Sequence, residues 1–426
     1  MDDNRATQHI GPPLLLQVST WVTIVPLVLL CMGCDLPFMS DSAGGGRTIV
    51  LVICWMLVIF CIAQRTAFLF EQCWRAKYCF VIPAIATLST LWSQDPSRTL
   101  LKGLCLFLVA VFAVYLVNRY DNEEIIHLFY LLSNIILVLS FMYSLVFHGT
   151  GITPDGAWRG VFHTKNDAAR VVVFLLPSAL YYRPRVASAE TFRQASICAT
   201  FVFALLTRSV TGLASAALLI LLFALWTLIR RVAATEKGII VTLAVFAAVT
   251  LSFLVFYYAK DVLPLFGKDI TLTGRTKIWS SVLLSIAKRP WLGYGHGAFW
   301  IGQGEATNTY LAANWTVSYA HNGFLDVLLQ LGFVGLAAVC FVFAKAVIDT
   351  AAVISRVTSR YSFWCVSILA LTLTFNLDEG TFISEERIYW LLFLVVALGV
   401  HGPNRRHAQE AGQFAEEALY QIETIR

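Results

Sequence analysis

The sequence predicts an all-α polytopic membrane protein, with about twelve transmembrane helices and one large outer loop. Three observations carry this. Charged residues make up 13% of the 426, whereas a soluble domain typically carries roughly 25%. Hydrophobic residues make up 58%, too many to hide inside a globule with so little polar cover. The apolar residues fall in stretches that recur along the chain, most of them near the roughly 20 residues that cross a bilayer. The composition excludes an ordinary soluble enzyme, a disordered chain and a fibrous one.

The expected spans lie near 17–34, 48–64, 78–92, 99–117 and 125–147, then 166–182, 194–208, 210–229 and 238–258, and finally 322–345, 361–377 and 388–402. The first has Asp2 and Asp3 ahead of it and no basic leader or small-residue cleavage site; it reads as a retained helix. Residues 1–426 form a single membrane domain, without an internal repeat. Within it, 259–320 is the one loop long enough to fold. There Thr276–Lys288 sets Trp279, Val282, Leu283 and Ile286 at helical spacing, an amphipathic helix expected to lie against the membrane surface. Thr273 or Gly274 would cap it and Arg289-Pro290 would end it. Gly293 to Gly297 reads as a tight, flexible turn. The tail, 403–426, reads as a short cytoplasmic amphipathic helix.

Orientation follows from Lys and Arg in short loops. With the N-terminus inside, the inner loops hold Arg65, Arg75, Lys77, Arg119, Arg183, Arg185, Arg193, Lys345 and Arg360, among others. The short outer loops hold Arg47, Arg98, Arg208 and Arg387. Two outer loops depart from this bias. Residues 148–170 carry Arg159, Lys165 and Arg170, and 259–320 carry six cations including Arg275, Lys277 and Arg289. Basic residues placed there against the rule suggest binding of an anion, although long loops also cross regardless of charge. The net charge of +5 is too small for this length to suggest nucleic acid. The ten cysteines fall within or beside spans, which argues against a disulfide framework. Cys31-x-x-Cys34 has no metal-ligand partners and reads as apolar packing.

Three outer constellations hold the residues suited to chemistry. Trp158 to Asn166 includes Arg159, Lys165 and Asn166; Leu272 to Trp279 includes Arg275 and Lys277, and continues through Arg289 to Gly295; Ala320 to Asp326 includes His321 and Asn322. Arginines at helix starts combine a planar donor fork with backbone N–H groups, an arrangement that favours phosphate. An imidazole at the mouth of a span can accept a proton near neutral pH. Together they would suit attack by a hydroxyl on a carbon whose leaving group is pyrophosphate. Asp326 is five residues from His321 and so is no automatic partner for it. Taken singly, the arginines also read as interfacial anchors, the histidine as a polar cap, and the tryptophans as belt aromatics.

His321-Asn322, nine residues, then Gly332-x-x-Gly335 resembles the His-[Asn/Ser/Gln]-x9-Gly-x-x-Gly pattern of the bacterial O-antigen ligase and polymerase superfamily. Leu336 stands where ligases often have Thr or Val. Thr273-Gly-Arg-Thr-x-x-Trp279, with Arg289-Pro-Trp-Leu-Gly-Tyr-Gly295 after it, resembles the large periplasmic loop of that superfamily. Arg159-Gly-Val-Phe-x-x-Lys-Asn166 resembles its earlier loop, and Trp92-Ser-x-Asp-Pro-Ser97 is similar to exopolysaccharide polymerases of the group. The resemblance covers roughly residues 85–402. It implies a multi-pass protein of the bacterial inner membrane whose site faces the periplasm. It implies a metal-independent glycosyltransferase that needs no cofactor. Its donor would be an undecaprenyl-diphosphate-linked glycan, and its acceptor a glycan or lipid. A flippase and a chain-length regulator are the implied assembly partners. It maps His321 onto the general base, and Arg159 and Arg275 onto the arginines that bind the diphosphate. Lys165, Asn166, Lys277, Arg289, Asn322 and Asp326 are secondary candidates. No Asp-x-Asp motif or metal-ligand cluster competes with this set.

The acceptor divides the superfamily. A polymerase extends a glycan on a second carrier; a ligase moves a finished glycan to lipid A–core or another acceptor. The Trp92–Ser97 stretch and Gly293-Tyr-Gly-x-Gly-x-Phe-Trp300 favour polymerisation slightly. A polysaccharide or lipid transporter and a non-catalytic scaffold of an assembly complex stay open as other classes. The near-absence of charge at the middle of the spans weighs against a transporter.

Overall fold

The structure is a computed structural model and describes residues 18–33, 45–64, 66–184, 186–229, 275–301, 304–313, 317–356 and 359–399. The expected span at 238–258, the large loop before residue 275 and the tail 403–426 lie outside the described residues. Among the described residues the regular structure is helical, apart from one isolated bridge between Ile152 and Trp158.

The chain begins with α1 (Val18–Cys31), α2 (Gly45–Ala63) and α3 (Thr66–Arg75). A run of short 3-10 and α segments follows over 77–92, with α4 (Val81–Leu88) at its centre. Next come α5 (Pro96–Arg119), α6 (Asn122–Val146), a single turn α7 (His148–Gly151), α8 (Lys165–Tyr181), α9 (Ala187–Leu206) and α10 (Val210–Ile229). Beyond residue 274 lie α11 (Arg275–Lys288), α12 (Ala306–Ala313), α13 (Gly323–Arg356), α14 (Arg360–Asp378) and α15 (Ile388–Gly399). Every expected span within the described residues coincides with a helix or with the 77–92 run. Four helices are long and apolar enough to cross a membrane by length and composition: α5, α6, α10 and α13 to Ile354. Shorter apolar helices cover 20–31, 48–63, 77–92 and 388–399. This supports an all-α, multi-pass membrane protein.

Polar residues start the long helices where the apolar runs begin. Asp95 accepts from Arg98 N, with Pro96 at the first helical position, and so opens α5. Asp121 and Glu124 form a reciprocal capping box on α6. Thr164 caps α8 through Asp167 N, and Ser359 caps α14 through Ser362 N. α8 and α15 are buried on all sides along nearly their whole lengths, which marks them as the central helices of the bundle.

Two features depart from the sequence reading. α13 is broken at Gly332, whose φ of 63° and ψ of −162° are not helical. The segment after α11 fills the break. Tyr294 N and Gly295 N donate to the carbonyls of Leu329 and Gln330, while Phe333 N and Val334 N donate to those of Pro290 and Trp291. Backbone groups freed at depth must find partners inside the protein, and this segment supplies them. A Cβ at Gly332 would sit 2.2 Å from Trp291 C, and one at Gly293 would sit 2.6 Å from Gln330 C. The Gly293–Gly297 run is therefore a pinned insert, not a flexible turn.

The second departure concerns α11. It forms as expected, but its buried stripe is Ile278, Val282 and Ile286, packed with Tyr294, Phe299, Ala320 and Leu329 in a core separate from that of the bundle. Leu283, expected on that stripe, is exposed. The i, i+4, i+8 spacing of 278, 282 and 286 defines the face, and protein rather than the membrane surface covers it.

Candidate active site

The loops assigned to the outer side meet at one end of the bundle. Trp92 Nε1 donates to Leu292 O at 2.8 Å, and Gln94 N to Tyr294 O at 3.1 Å. Trp158 N donates to Leu206 O, and Arg208 Nη1 to Asp155 O at 2.6 Å. The 379–387 segment reaches the same end. There Glu379 Oε1 lies 3.4 Å from Arg275 Nη2, and Glu379 Oε2 lies 3.4 Å both from Arg170 Nη2 and from His321 Nδ1. Four elements thus deliver one carboxylate, two guanidiniums and an imidazole to a single place.

Local structure fixes each of them. His321 has a φ of 50°, in the left-handed region that non-glycine residues rarely occupy and that persists only where the surroundings over-determine it. Both neighbours of His321 are held. Ala320 N donates to the Asp326 carboxylate at 3.0 Å, and Ala320 O accepts from Trp279 Nε1 at 2.9 Å. Asn322 Oδ1 accepts from Phe324 N and Leu325 N and so starts α13. Asp326 is buried and also accepts from Trp300 Nε1 at 2.9 Å. A Cβ at Gly380 would approach Asp326 Oδ2 to 2.7 Å. Asp326 therefore braces the backbone beside His321 and packs against the residue after Glu379. On the other side, Asn376 Oδ1 accepts from Thr381 N and Phe382 N, which shapes the turn after Glu379.

The electrostatics follow from burial and pairing. Glu379 is 3% exposed and Arg170 6%, whereas Arg275 keeps 13% and His321 16%. A ligand would accordingly meet His321 and Arg275, with the other two behind them. Burial would raise the Glu379 carboxyl, but Arg170 foremost and then His321 and Tyr319 outweigh it and hold the group at about 2. Arg170 also lies 3.1 Å from Asp167, and Arg387 lies 3.6 Å from that same Asp167 oxygen. Three guanidiniums against two carboxylates leave these five side chains one positive charge in excess. An entering anion would be met favourably.

The other expected residues take different places. Arg159 is not at a helix start. It lies in the loop before α8, and its side chain donates to the carbonyls of Thr150 and His163. Lys165 pairs with Asp155 at 2.5 Å. Asn166 lines a small crevice with Arg170 and Glu379. Lys277 is exposed. Arg289 stacks on Tyr294 at 4.9 Å and reaches Trp92 O at 3.5 Å, which marks it as a support of the inserted loop. Among the described residues no group of three or more His, Cys, Asp or Glu side chains is arranged to hold a metal.

Sequence reasoning missed Glu379 and counted Arg170 only as loop charge. The signal for Glu379 was an acidic pair, Asp378-Glu379, closing an apolar span on the outer side.

Comparison with known proteins adds an independent line. Residues 195–340 match the O-antigen ligase family model. The chain is 22% identical over 276 residues to the exopolysaccharide production protein ExoQ of Rhizobium meliloti (strain 1021), covering 63% of each chain. It is 27% identical over 123 residues to the ComP-specific O-oligosaccharyltransferase of Acinetobacter baylyi (strain ATCC 33305 / BD413 / ADP1), covering 28% of this chain and 22% of that one. The matches thus span less than two thirds of either relative. Together they support the O-antigen ligase-like superfamily for this chain.

Proposed function

We propose that this O-antigen ligase-like membrane protein is an inner-membrane glycosyltransferase working at the periplasmic face. It moves a glycan from an undecaprenyl-diphosphate donor onto a sugar hydroxyl. The observation that carries the reading is the meeting of His321, Arg275 and Arg170 on Glu379.

Nδ1 of His321 faces Glu379, which supports a reading in which Nε2 is the base. Nε2 takes the proton of the acceptor hydroxyl as its oxygen attacks the anomeric carbon of the donor. Glu379 then stabilises the imidazolium and keeps the ring in one orientation. The bond between the anomeric carbon and the diphosphate oxygen breaks, and the departing diphosphate takes the electron pair. Arg275, first residue of α11, adds its fork to the helix N-terminus at that growing charge, and Arg170 supports it from behind. Arg159 takes a secondary part with the donors it does not spend on its own loop. One displacement inverts the anomeric centre.

Polymerisation of exopolysaccharide or O-antigen repeat units is favoured over ligation. The similarity to ExoQ extends over more of the chain than the similarity to the oligosaccharyltransferase. The latter keeps transfer to a separate acceptor as the second reading. Purified protein reconstituted with a defined polyprenyl-diphosphate oligosaccharide tests both by product mass. A ladder of repeat units on carrier lipid is expected; unchanged donor in the presence of every acceptor offered would contradict the assignment.

A further inference from the structure

A second buried ion cluster takes no part in the chemistry above. Lys102 Nζ on α5 contacts Glu385 Oε1 and lies 3.6 Å from Glu386 Oε1. His296 Nε2 lies 3.4 Å from Glu385 Oε2, with side-chain exposures of 2% and 5%. Burying such charges is costly unless they are paired and held in place. His296 is held closely: Nδ1 is 2.8 Å from Gln330 Oε1, its N donates to Ser89 Oγ, and its carbonyl accepts from Thr99 Oγ1. Arg98 Nε donates to the next carbonyl, Gly297 O, at 2.9 Å. Burial would raise the Glu385 carboxyl, but Lys102 foremost and then His296 hold it well below the usual range.

This cluster and the active site share one segment. Glu379 begins the 379–387 connection, where it meets Arg170, Arg275 and His321. Glu385 anchors the far part of that connection to α5 and to the Gly293–Gly297 insert. Arg387 ties the end to Asp167. Between the anchors, Ile383 has a φ of 45°, a second strained position that the anchors hold.

We propose that Lys102, Glu385 and His296 are positioning residues, which clamp the far part of the 379–387 segment so that the Glu379 carboxylate stays beside Nδ1 of His321. The inference rests on the reading of His321 as the base. Glu379 and Tyr319 face His321, and Arg170 and Arg275 share the same carboxylate. Releasing the clamp lets Glu379 withdraw from Nδ1 of His321 and loosens the turn that follows it.

The test uses the full chain in lipid nanodiscs. Amide hydrogen exchange is followed by mass spectrometry, which reads the 379–387 segment without any turnover. Glu385→Gln and Lys102→Met are expected to speed exchange by about tenfold or more in the peptides holding Thr381 and Phe382, which donate to Asn376 Oδ1, and Ala320, which donates to the Asp326 carboxylate, and Lys102→Arg to restore it. Melting temperature is recorded beside each. Should Lys102→Met not accumulate, Glu385→Asp, which keeps the charge and shortens the reach, makes the same comparison. Melting that falls while exchange rises only around His296 and Glu385 would overturn the proposal and leave the cluster a plain structural tie. Transfer is assayed separately: an inactive wild type would overturn the functional reading, while the exchange rates still decide the clamp.

Discussion

At the residue scale, the site is a balance of burial against pairing. Glu379 is buried yet held at about 2, below its unfolded value. Its stabilising pairings are therefore complete above about pH 4.5 and are lost as pH falls towards about 2. Wild-type protein in detergent is expected to lose melting temperature over that window, and Glu379→Gln to lose less of it. Glu379→Ala goes further and leaves Arg170 facing one carboxylate fewer. Breaking a buried pair costs about 3–5 kcal/mol, of which Asp167 recovers part, and denaturant unfolding measures the remainder. Arg275→Lys keeps the charge but loses the planar fork. It is expected to slow transfer by about tenfold or more, and by a larger factor than Arg159→Lys, since Arg159 already spends donors on Thr150 and His163.

At the element scale, the broken α13 links two stretches of sequence. The Gly332-x-x-Gly335 pattern and the Arg289–Gly295 run are halves of one structure, because the loop satisfies the backbone that the helix break exposes. Gly332→Ala is expected to destabilise the fold by more than about 2 kcal/mol. It adds a Cβ where backbone already stands at 2.2 Å and imposes a side chain on a positive φ. Unfolding of the purified variant measures the cost, and a variant as stable as wild type would mean that the insert does not grip the break. The Trp92–Ser97 stretch proves to be part of the same assembly. Trp92 bonds Leu292 O, Asp95 caps α5, and a Cβ at Gly295 would meet Ser93. These motifs were legible as patterns, but their purpose was not. Hydrophobic periodicity locates a span and is silent about a helix that breaks and takes in a distant loop.

At the scale of the whole molecule, the two ends of the bundle separate the charges. The loops assigned to the outer side on Lys and Arg bias meet at one end, with His321, Arg275 and Arg170. At the other, Tyr78 bonds Ala397 O, Lys345 stacks on Tyr78 at 4.8 Å and pairs with Asp349. In intact cells, single cysteines at 208 and 277 in a background lacking accessible thiols are expected to react with a membrane-impermeant maleimide, and ones at 193 and 345 only after permeabilisation. The spans within the described residues were legible because length and apolarity dictate them. His321 and Arg275 were legible because each sits in a compact local pattern. Glu379 was not. Its partnership with His321 exists only after α13 and α14 fold back on one another, and Asp326, nearer in sequence, is turned to the backbone instead. Arg170 was hidden for a related reason: α8 buries it, and no local pattern distinguishes it from an interfacial cation.

Comparison of wild-type protein with His321→Ala, both reconstituted with a polyprenyl-diphosphate oligosaccharide and followed by product mass, tests most directly that His321 drives glycosyl transfer at this end of the bundle. Product from the wild type and a rate at least about 100-fold lower from the variant, at equal protein level and melting temperature, is the expected result. Equal rates from the two would contradict it.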